Sequence, residues 1–273
     1  MLSVIKNKVG IWVIFALLLT GCDVFEYHPY EVRLSSKYED TNAKNIARLK
    51  DLDKGKDTVR FAFMGDSQRW YDETEDFVSH VNKRNDVDFV IHGGDISDFG
   101  MQKEFCWVHD IMDKLKVPYV ALIGNHDNLG SGEEIYQVMY GDLNFSFIYG
   151  GIKFVCLNTN ALEFDYGTPV PDFRFIEREI SDTVTVDYQQ TIAVMHVEPG
   201  DVVFNNNVAL VFHEYLKRFR HLRFCLHAHA HRLMVDDFFN DGMIYYGCAA
   251  MKNRNYMLFT VTPQGYSYEV VNY

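Results

Sequence analysis

Tyr119-Val120-Ala121-Leu122-Ile123-Gly124-Asn125-His126-Asp127-Asn128 is a short apolar run that stops at a glycine and delivers three polar side chains just beyond it. Short apolar runs bounded by turn formers read as buried strands, and open α/β sheets keep their sites at the carboxyl ends of such strands. An amide, an imidazole and a carboxylate crowded at a strand end are costly to hold near a core unless something pairs with them. A cation would do so. Taken alone, the tetrad also reads as a plain turn, because Asn, Asp and Gly are ordinary turn residues.

Four other strand-like runs end in the same way. Phe61 to Met64 leads into Gly65-Asp66-Ser67-Gln68, and Phe89 to Ile91 leads into Gly93-Gly94-Asp95. Ile192 to Met195 stops at His196, and Leu222 to Leu226 runs into His227-Ala228-His229-Ala230-His231. Taken together, Asp66, Gln68, Asp95, Asn125, His196, His229 and His231 offer oxygen and nitrogen donors and no thiolate, a set that suits manganese, iron or zinc. Seven donors exceed the needs of one ion. They fit two ions that share an aspartate, since each carboxylate oxygen can bind a different metal.

The rest of the chain limits the alternatives. With 273 residues, 48% of them hydrophobic, and no internal repeat, it has ample material for a buried core. A net charge of −12 argues against binding nucleic acid by backbone neutralisation, and against a polybasic membrane patch. Anionic small substrates stay open, because bound cations invert the local field. At the amino terminus, Lys6 and Lys8 precede an apolar run from Ile11 to Leu19, too short to span a bilayer comfortably and suited to a signal-peptide core. It ends in Leu19-Thr20-Gly21-Cys22, which resembles the bacterial lipobox and implies cleavage before a lipidated Cys22. An ordinary signal peptide or an anchor helix that happens to contain a cysteine is the alternative. Residues 1–21 are thus expected to form the signal, 22–57 a tether and lead-in, and 58–273 one domain in the bacterial cell envelope, facing outside the cytoplasm. Cys106, Cys156, Cys225 and Cys248 show no paired spacing and are expected as free thiols.

Periodicity orders the elements. Tyr38 to Leu52 predicts a short surface helix, and Val59 to Met64 the first strand of the site-bearing sheet. Helices are expected over Asp72 to Arg84 and Gln102 to Leu115, each followed by a strand. His80 and His109 fall within them as satisfied or surface residues. Asn144 to Tyr149 and Lys153 to Asn158 predict a hairpin joined at Gly150-Gly151. Further helices are expected over Phe173 to Ile180 and Val208 to Phe219, with strands over Asp187 to His196, Leu222 to Leu226, Met243 to Gly247, Tyr256 to Thr262 and Tyr266 to Asn272. Asn128 to Tyr140, Thr159 to Val186 and Val197 to Asn207 are left to line the approach. Their Tyr136, Tyr166, Phe173 and Phe204 either stack on a base or pack as core.

At this point the chain resembles the calcineurin-like metallophosphoesterase family, whose ordered motifs are D-x-H, G-D, G-N-H-D/E, a lone H and G-H-x-H. Here they stand as Asp66-Ser67-Gln68, Gly94-Asp95, Gly124-Asn125-His126-Asp127, His196, and Ala228-His229-Ala230-His231. The resemblance covers residue 59 to the end and implies an α/β two-sheet sandwich flanked by helices, with a dinuclear centre at strand ends. By position it implies Asp66, Gln68, Asp95 and His231 on one divalent metal, Asp95, Asn125, His196 and His229 on the other, and Asp95 as the bridge. Gln68 replaces the usual histidine, as in some members similar to manganese-dependent nucleotide pyrophosphatases, and its carbonyl oxygen is a weaker, neutral ligand. Ala228 replaces the usual glycine, at little cost unless the backbone needs a positive φ. His227 would share a face with His229 and His231 in an extended chain and is expected behind the ligands.

Asp98 lies three residues after Asp95, the spacing at which the protein phosphatase branch has an aspartate that orients the catalytic histidine. It either serves His126 in that way or caps the helix that starts at Gln102. The expected reaction is hydrolysis of a small phosphodiester or nucleotide by metal-bound hydroxide, with His126 protonating the leaving oxygen. A phosphomonoesterase, or a metal-binding lipoprotein without turnover, is the alternative.

Overall fold

The computed structural model describes residues 32–161, 169–182 and 187–273. The signal segment, Cys22 and Tyr166 lie outside them. Among the described residues no helix is long and apolar enough to cross a membrane.

The apolar runs become strands buried on both faces, which is why they read as nearly continuous hydrophobic stretches. The first helix, α1 (Thr41–Leu52), leads to β1 (Val59–Met64), α2 (Tyr71–Val81), β2 (Phe89–His92), α3 (Gln102–Met112) and β3 (Tyr119–Ala121). Then come α4 (Gly132–Tyr140), the hairpin β4 (Phe145–Tyr149) and β5 (Ile152–Leu157), α5 (Phe173–Ser181), β6 (Gln190–Met195) and α6 (Ala209–Leu216). The chain closes with β7 (Leu222–His227), β8 (Met234–Asp236), β9 (Tyr245–Gly247), β10 (Asn255–Val261) and β11 (Tyr266–Asn272). They form a five-stranded sheet, β11-β10-β1-β2-β3, and a six-stranded sheet, β4-β5-β6-β7-β9-β8. β1, β2 and β3 are parallel, as are β5, β6, β7 and β9, so all these strands present their carboxyl ends at one end of a sandwich.

Alternation along each strand sorts the side chains into layers. Phe61 and Phe63 of β1 point between the sheets with Phe89, Phe154, Ile192, Phe224 and Phe259. Ala62 and Met64 point the other way, onto α2, α3 and α4, and Ala193, Met195 and Cys225 of the second sheet pack on α5 and α6. The result is the expected two-sheet α/β sandwich with helices on both outer faces. Burying large aromatic side chains on this scale, about 1.5–3 kcal/mol each, supplies a floor stiff enough to hold strained loops. Cys156, Cys225 and Cys248 are buried free thiols, and Cys106 is a half-buried one.

The structure departs from the expected bounds and adds elements to them. The lead-in does not end at residue 57: the compact unit begins at Val32, and α1 is part of it. Leu49 is fully buried, and the Asn42 side chain exchanges two 2.9 Å hydrogen bonds with the backbone of Ala121, closing the open edge of β3. Residues 132–140, expected only to line the approach, form a helix with Ile135, Tyr136, Met139 and Tyr140 in the core. Phe204 is core as well, and Phe173 is partly buried against it. The short strand β8 was not foreseen. His109 is buried with Tyr119 Oη 3.1 Å from its Nδ1, a satisfied core histidine as expected.

Candidate metal centre

Each loop that leaves a strand end has a local reason for its shape. Asp66, Asp95, His229 and His231 all carry positive φ, at 53, 58, 62 and 55°. Non-glycine residues adopt that region only where the surroundings over-determine it, at a cost of about 1–3 kcal/mol each. Two glycines make room for Asp95. A Cβ on Gly94, itself at φ 102°, would come within 2.7 Å of His196 Nδ1, and one on Gly124 within 2.1 Å of the Asp95 nitrogen. Ala228 has no positive φ, so a glycine is not required there, and its methyl group fits because residues 65 and 93 have none.

These turns bring all seven predicted donors together. Asp95, His196 and His229 present ligand atoms within 4.8 Å of one another, and so do Asp66, Asp95 and His231, with Asp95 common to both groups. Asn125 Oδ1 lies 3.0 Å from His196 Nε2 and 2.9 Å from His229 Nδ1, inside the first group. Gln68 Nε2 donates to Asp95 Oδ2 at 3.0 Å and lies 3.5 Å from His231 Nε2, inside the second. Asp66 Oδ2 and Gln68 Oε1 are buried and meet no hydrogen-bond donor among the described residues. Buried acceptors left without a donor are what a cation satisfies, and a half-turn of the Gln68 amide exchanges its nitrogen for its oxygen at the site. The donor set therefore fits a metal pair.

Electrostatics point the same way. Burial pushes the Asp66 carboxyl well above its usual range, and the neighbouring Asp95 adds to this despite the pull of His196. Burial disfavours a charged His196, yet Asp95 at 3.2 Å outweighs burial and raises the imidazole. Asp95 is lowered for the converse reason: burial opposes its charge, and His196 more than compensates. The pocket of carboxylates calls for positive charge.

Surrounding groups fix which ring nitrogen each histidine offers. His196 Nδ1 lies 2.9 Å from the Gly93 carbonyl oxygen, and a proton donated there leaves Nε2 for the site. His229 Nε2 lies 3.2 Å from Asp201 Oδ1, which leaves Nδ1 inward. His92 is buried, and burial lowers its imidazole to about 3, so it is neutral. Its Nδ1 accepts from the Gly94 N–H at 3.2 Å, so its Nε2–H donates to Ser67 Oγ at 2.7 Å, fastening the Asp66 loop to the Asp95 loop. Asp127 accepts from the N–H groups of Ile96, Ser97 and Gly124 and from the Ser97 hydroxyl, binding the Asp95 loop to the Asn125 loop.

Asp201, His92 and Asp127 were missed as site-building residues. Asp201 sits just after Pro199-Gly200 in a loop expected near the site, which was the one usable signal. His227 belongs to neither donor group, and positive φ at His229 and His231 breaks the extended alternation that would have set all three on one face. Its Nδ1 lies 3.2 Å from Glu198 Oε2.

His126 is outside both donor groups, with its side chain 36% exposed. Its Nδ1 lies 2.8 Å from the Asp98 carbonyl oxygen, which accepts a hydrogen bond from it, whereas the Asp98 carboxylate is 3.6 Å away and pairs with Arg69. Asp98 does not cap α3 either: Glu104 accepts from the N–H groups of Phe99 and Met101 at that helix start.

The calcineurin-like phosphoesterase family model matches residues 59–233. No curated protein matches the sequence. Among solved structures, a purple acid phosphatase from yellow lupin superposes with a TM-score of 0.61 at 13% identity, over 79% of this chain and 51% of that one, so this chain spans about half the lupin protein. A dimetal phosphatase from Danio rerio gives 0.59 at 12%, over 77% and 98%. A Plasmodium protein described as the anchor in the inner membrane complex gives 0.57 at 14%, over 80% and 85%. At such identities the likeness is one of fold. The family model spans well over half of the chain and contains all seven donors and His126, and the chain belongs to the calcineurin-like phosphoesterase family.

Proposed function

We propose that the protein hydrolyses phosphoester bonds at a pair of divalent transition-metal ions, with a small phosphodiester or nucleotide as substrate. The observation that carries this is the double membership of Asp95, a buried carboxylate common to two donor groups. Asp66, Gln68 and His231 would hold one ion and Asn125, His196 and His229 the other, with Asp95 on both; the donors suit manganese, iron or zinc. When bound, the ions supply an activated water and neutralise charge on the phosphoryl oxygens. His126 then has the remaining task. With Nδ1 held by the Asp98 carbonyl, Nε2 is the nitrogen left to protonate the departing oxygen.

Gln68 favours the alternative of a metal-holding protein without turnover, since a neutral amide binds a cation more weakly than imidazole does. A half-exposed histidine fixed by one nitrogen and needed by neither donor group favours an enzyme. A screen of metal-loaded protein against diesters, monoesters and nucleotides tests this. Turnover of diesters or nucleotides is expected, monoester preference would make it a phosphomonoesterase, and no turnover with both ions bound would contradict the proposal.

The same proposal places the domain outside the bacterial cytoplasm on lipid attached to Cys22. It is supported by Lys6, Lys8, the apolar run and Leu19-Thr20-Gly21-Cys22. Mass spectrometry of the native amino terminus decides it, and an unmodified Cys22 would rule it out.

A further inference from the structure

Exposed apolar side chains scattered singly need no explanation, but five of the eleven large ones among the described residues lie in the segments that leave the carboxyl ends of the strands. Phe99, 58% exposed, follows Asp98, whose carbonyl holds His126. Val202, 79% exposed, follows Asp201, the partner of His229. The next two residues, Val203 and Phe204, are buried, so the loop is pinned with Val202 standing out. Leu233, 42% exposed, comes two residues after His231, and the exposed Leu210 and Val211 open α6 on the same side.

Basic residues share this end in a chain of net charge −12. Arg69 adjoins Gln68 and Arg232 adjoins His231, both exposed. Exposed Lys252 lies in the turn Met251–Asn253, whose Met251 N–H donates to the Asp66 carbonyl and whose Asn253 amide donates to the His231 carbonyl. The described chain also starts here. Val32 and Leu34 pack on the helix-side core, and the Arg33 N–H donates to Gln102 Oε1 at the first residue of α3, 2.8 Å away. From Cys22 to Val32 is ten residues, a reach of at most about 35 Å.

We propose that this end of the sandwich rests on a lipid bilayer, and that the substrate is a phosphoester lipid whose headgroup enters the metal centre while its acyl chains stay in the membrane. This rests on the phosphoesterase function proposed above. The apolar side chains enter the acyl boundary and the basic ones meet the phosphate layer, the division of labour of interfacial surfaces. In the reaction the oxygen of water bonds to phosphorus and its surplus proton passes to solvent, the bond from phosphorus to the leaving oxygen breaks, that oxygen takes a proton from His126, and the imidazole regains one from solvent. No other reactant is needed.

The contact is tested without activity. Val202→Cys and Leu52→Cys, each in a Cys106→Ser background of the full chain, are labelled with an environment-sensitive fluorophore and mixed with phosphatidylcholine vesicles, with and without phosphatidylglycerol. Leu52 is 49% exposed at the far end of α1, away from the site, and serves as the control. Protection of the label at 202 from an aqueous quencher, with the label at 52 still quenched, is the expected result. Equal protection or equal quenching overturns the contact.

The substrate is tested by the ratio of turnover of phosphatidylglycerol in vesicles to turnover of its short-chain soluble analogue. That ratio should fall about tenfold or more in the Phe99→Ser, Val202→Ser double variant. An unmoved ratio overturns the substrate assignment. If metal-loaded wild type turns over neither ester yet cleaves others in the screen above, the substrate assignment alone fails; if it cleaves none, the phosphoesterase function fails with it, while the labels still decide the contact.

Discussion

His126 is held by a main-chain carbonyl rather than by a carboxylate, and that decides which substitution matters at this position. His126→Ala should leave metal content unchanged and slow cleavage by about 10²- to 10⁴-fold, the usual size of a general-acid contribution. The loss should be large for alkyl esters, whose alkoxide needs a proton as it leaves, and much smaller for nitrophenyl esters. Equal losses on both would assign His126 to phosphate binding instead. Asp98→Asn keeps the carbonyl and gives up only the ion pair with exposed Arg69, so it should cost less than about tenfold. Comparable losses in Asp98→Asn and His126→Ala would mean that the carboxylate closes on the ring when substrate binds.

Among the elements, the loop after β3 is the most constrained. Gly124→Ala would place a Cβ 2.1 Å from the Asp95 nitrogen and 2.2 Å from its Oδ1, so the shared ligand must move. The variant should lose about 1–3 kcal/mol or more of stability, measured by urea unfolding of the metal-free protein, and should bind both ions poorly. Normal metal content in that variant would place the Asp95 turn elsewhere. The strand ends were legible in the sequence because an apolar run ending at a metal donor recurs five times, three of them with glycine just before the donor, and the order of those donors singles out one arrangement. Helix α4 was not legible: Gly130-Ser131-Gly132 reads as turn, and a nine-residue helix gives little periodicity. The supporting groups were hidden for a different reason. His92, Asp127 and Asp201 act through hydrogen bonds whose partners include groups far away in sequence, and no spacing rule reports such contacts.

For the molecule as a whole, the domain begins earlier than the site-bearing strands suggest, because Leu49 belongs to the core between the sheets. Leu49→Ala should destabilise the fold by about 2–5 kcal/mol in denaturant unfolding, the cost of emptying a fully buried leucine site. A loss under about 1 kcal/mol would return α1 to the lead-in. The two sheets matter to function because neither carries the centre alone: Asp66, Asp95 and Asn125 follow strands of the first, and His196, His229 and His231 follow strands of the second. Asp95 joins them, and its substitution tests the central claim most directly. Elemental analysis of the wild type should find about two transition-metal equivalents per chain, and a folded Asp95→Ala should hold neither. Full metal content in Asp95→Ala would contradict a shared dinuclear centre.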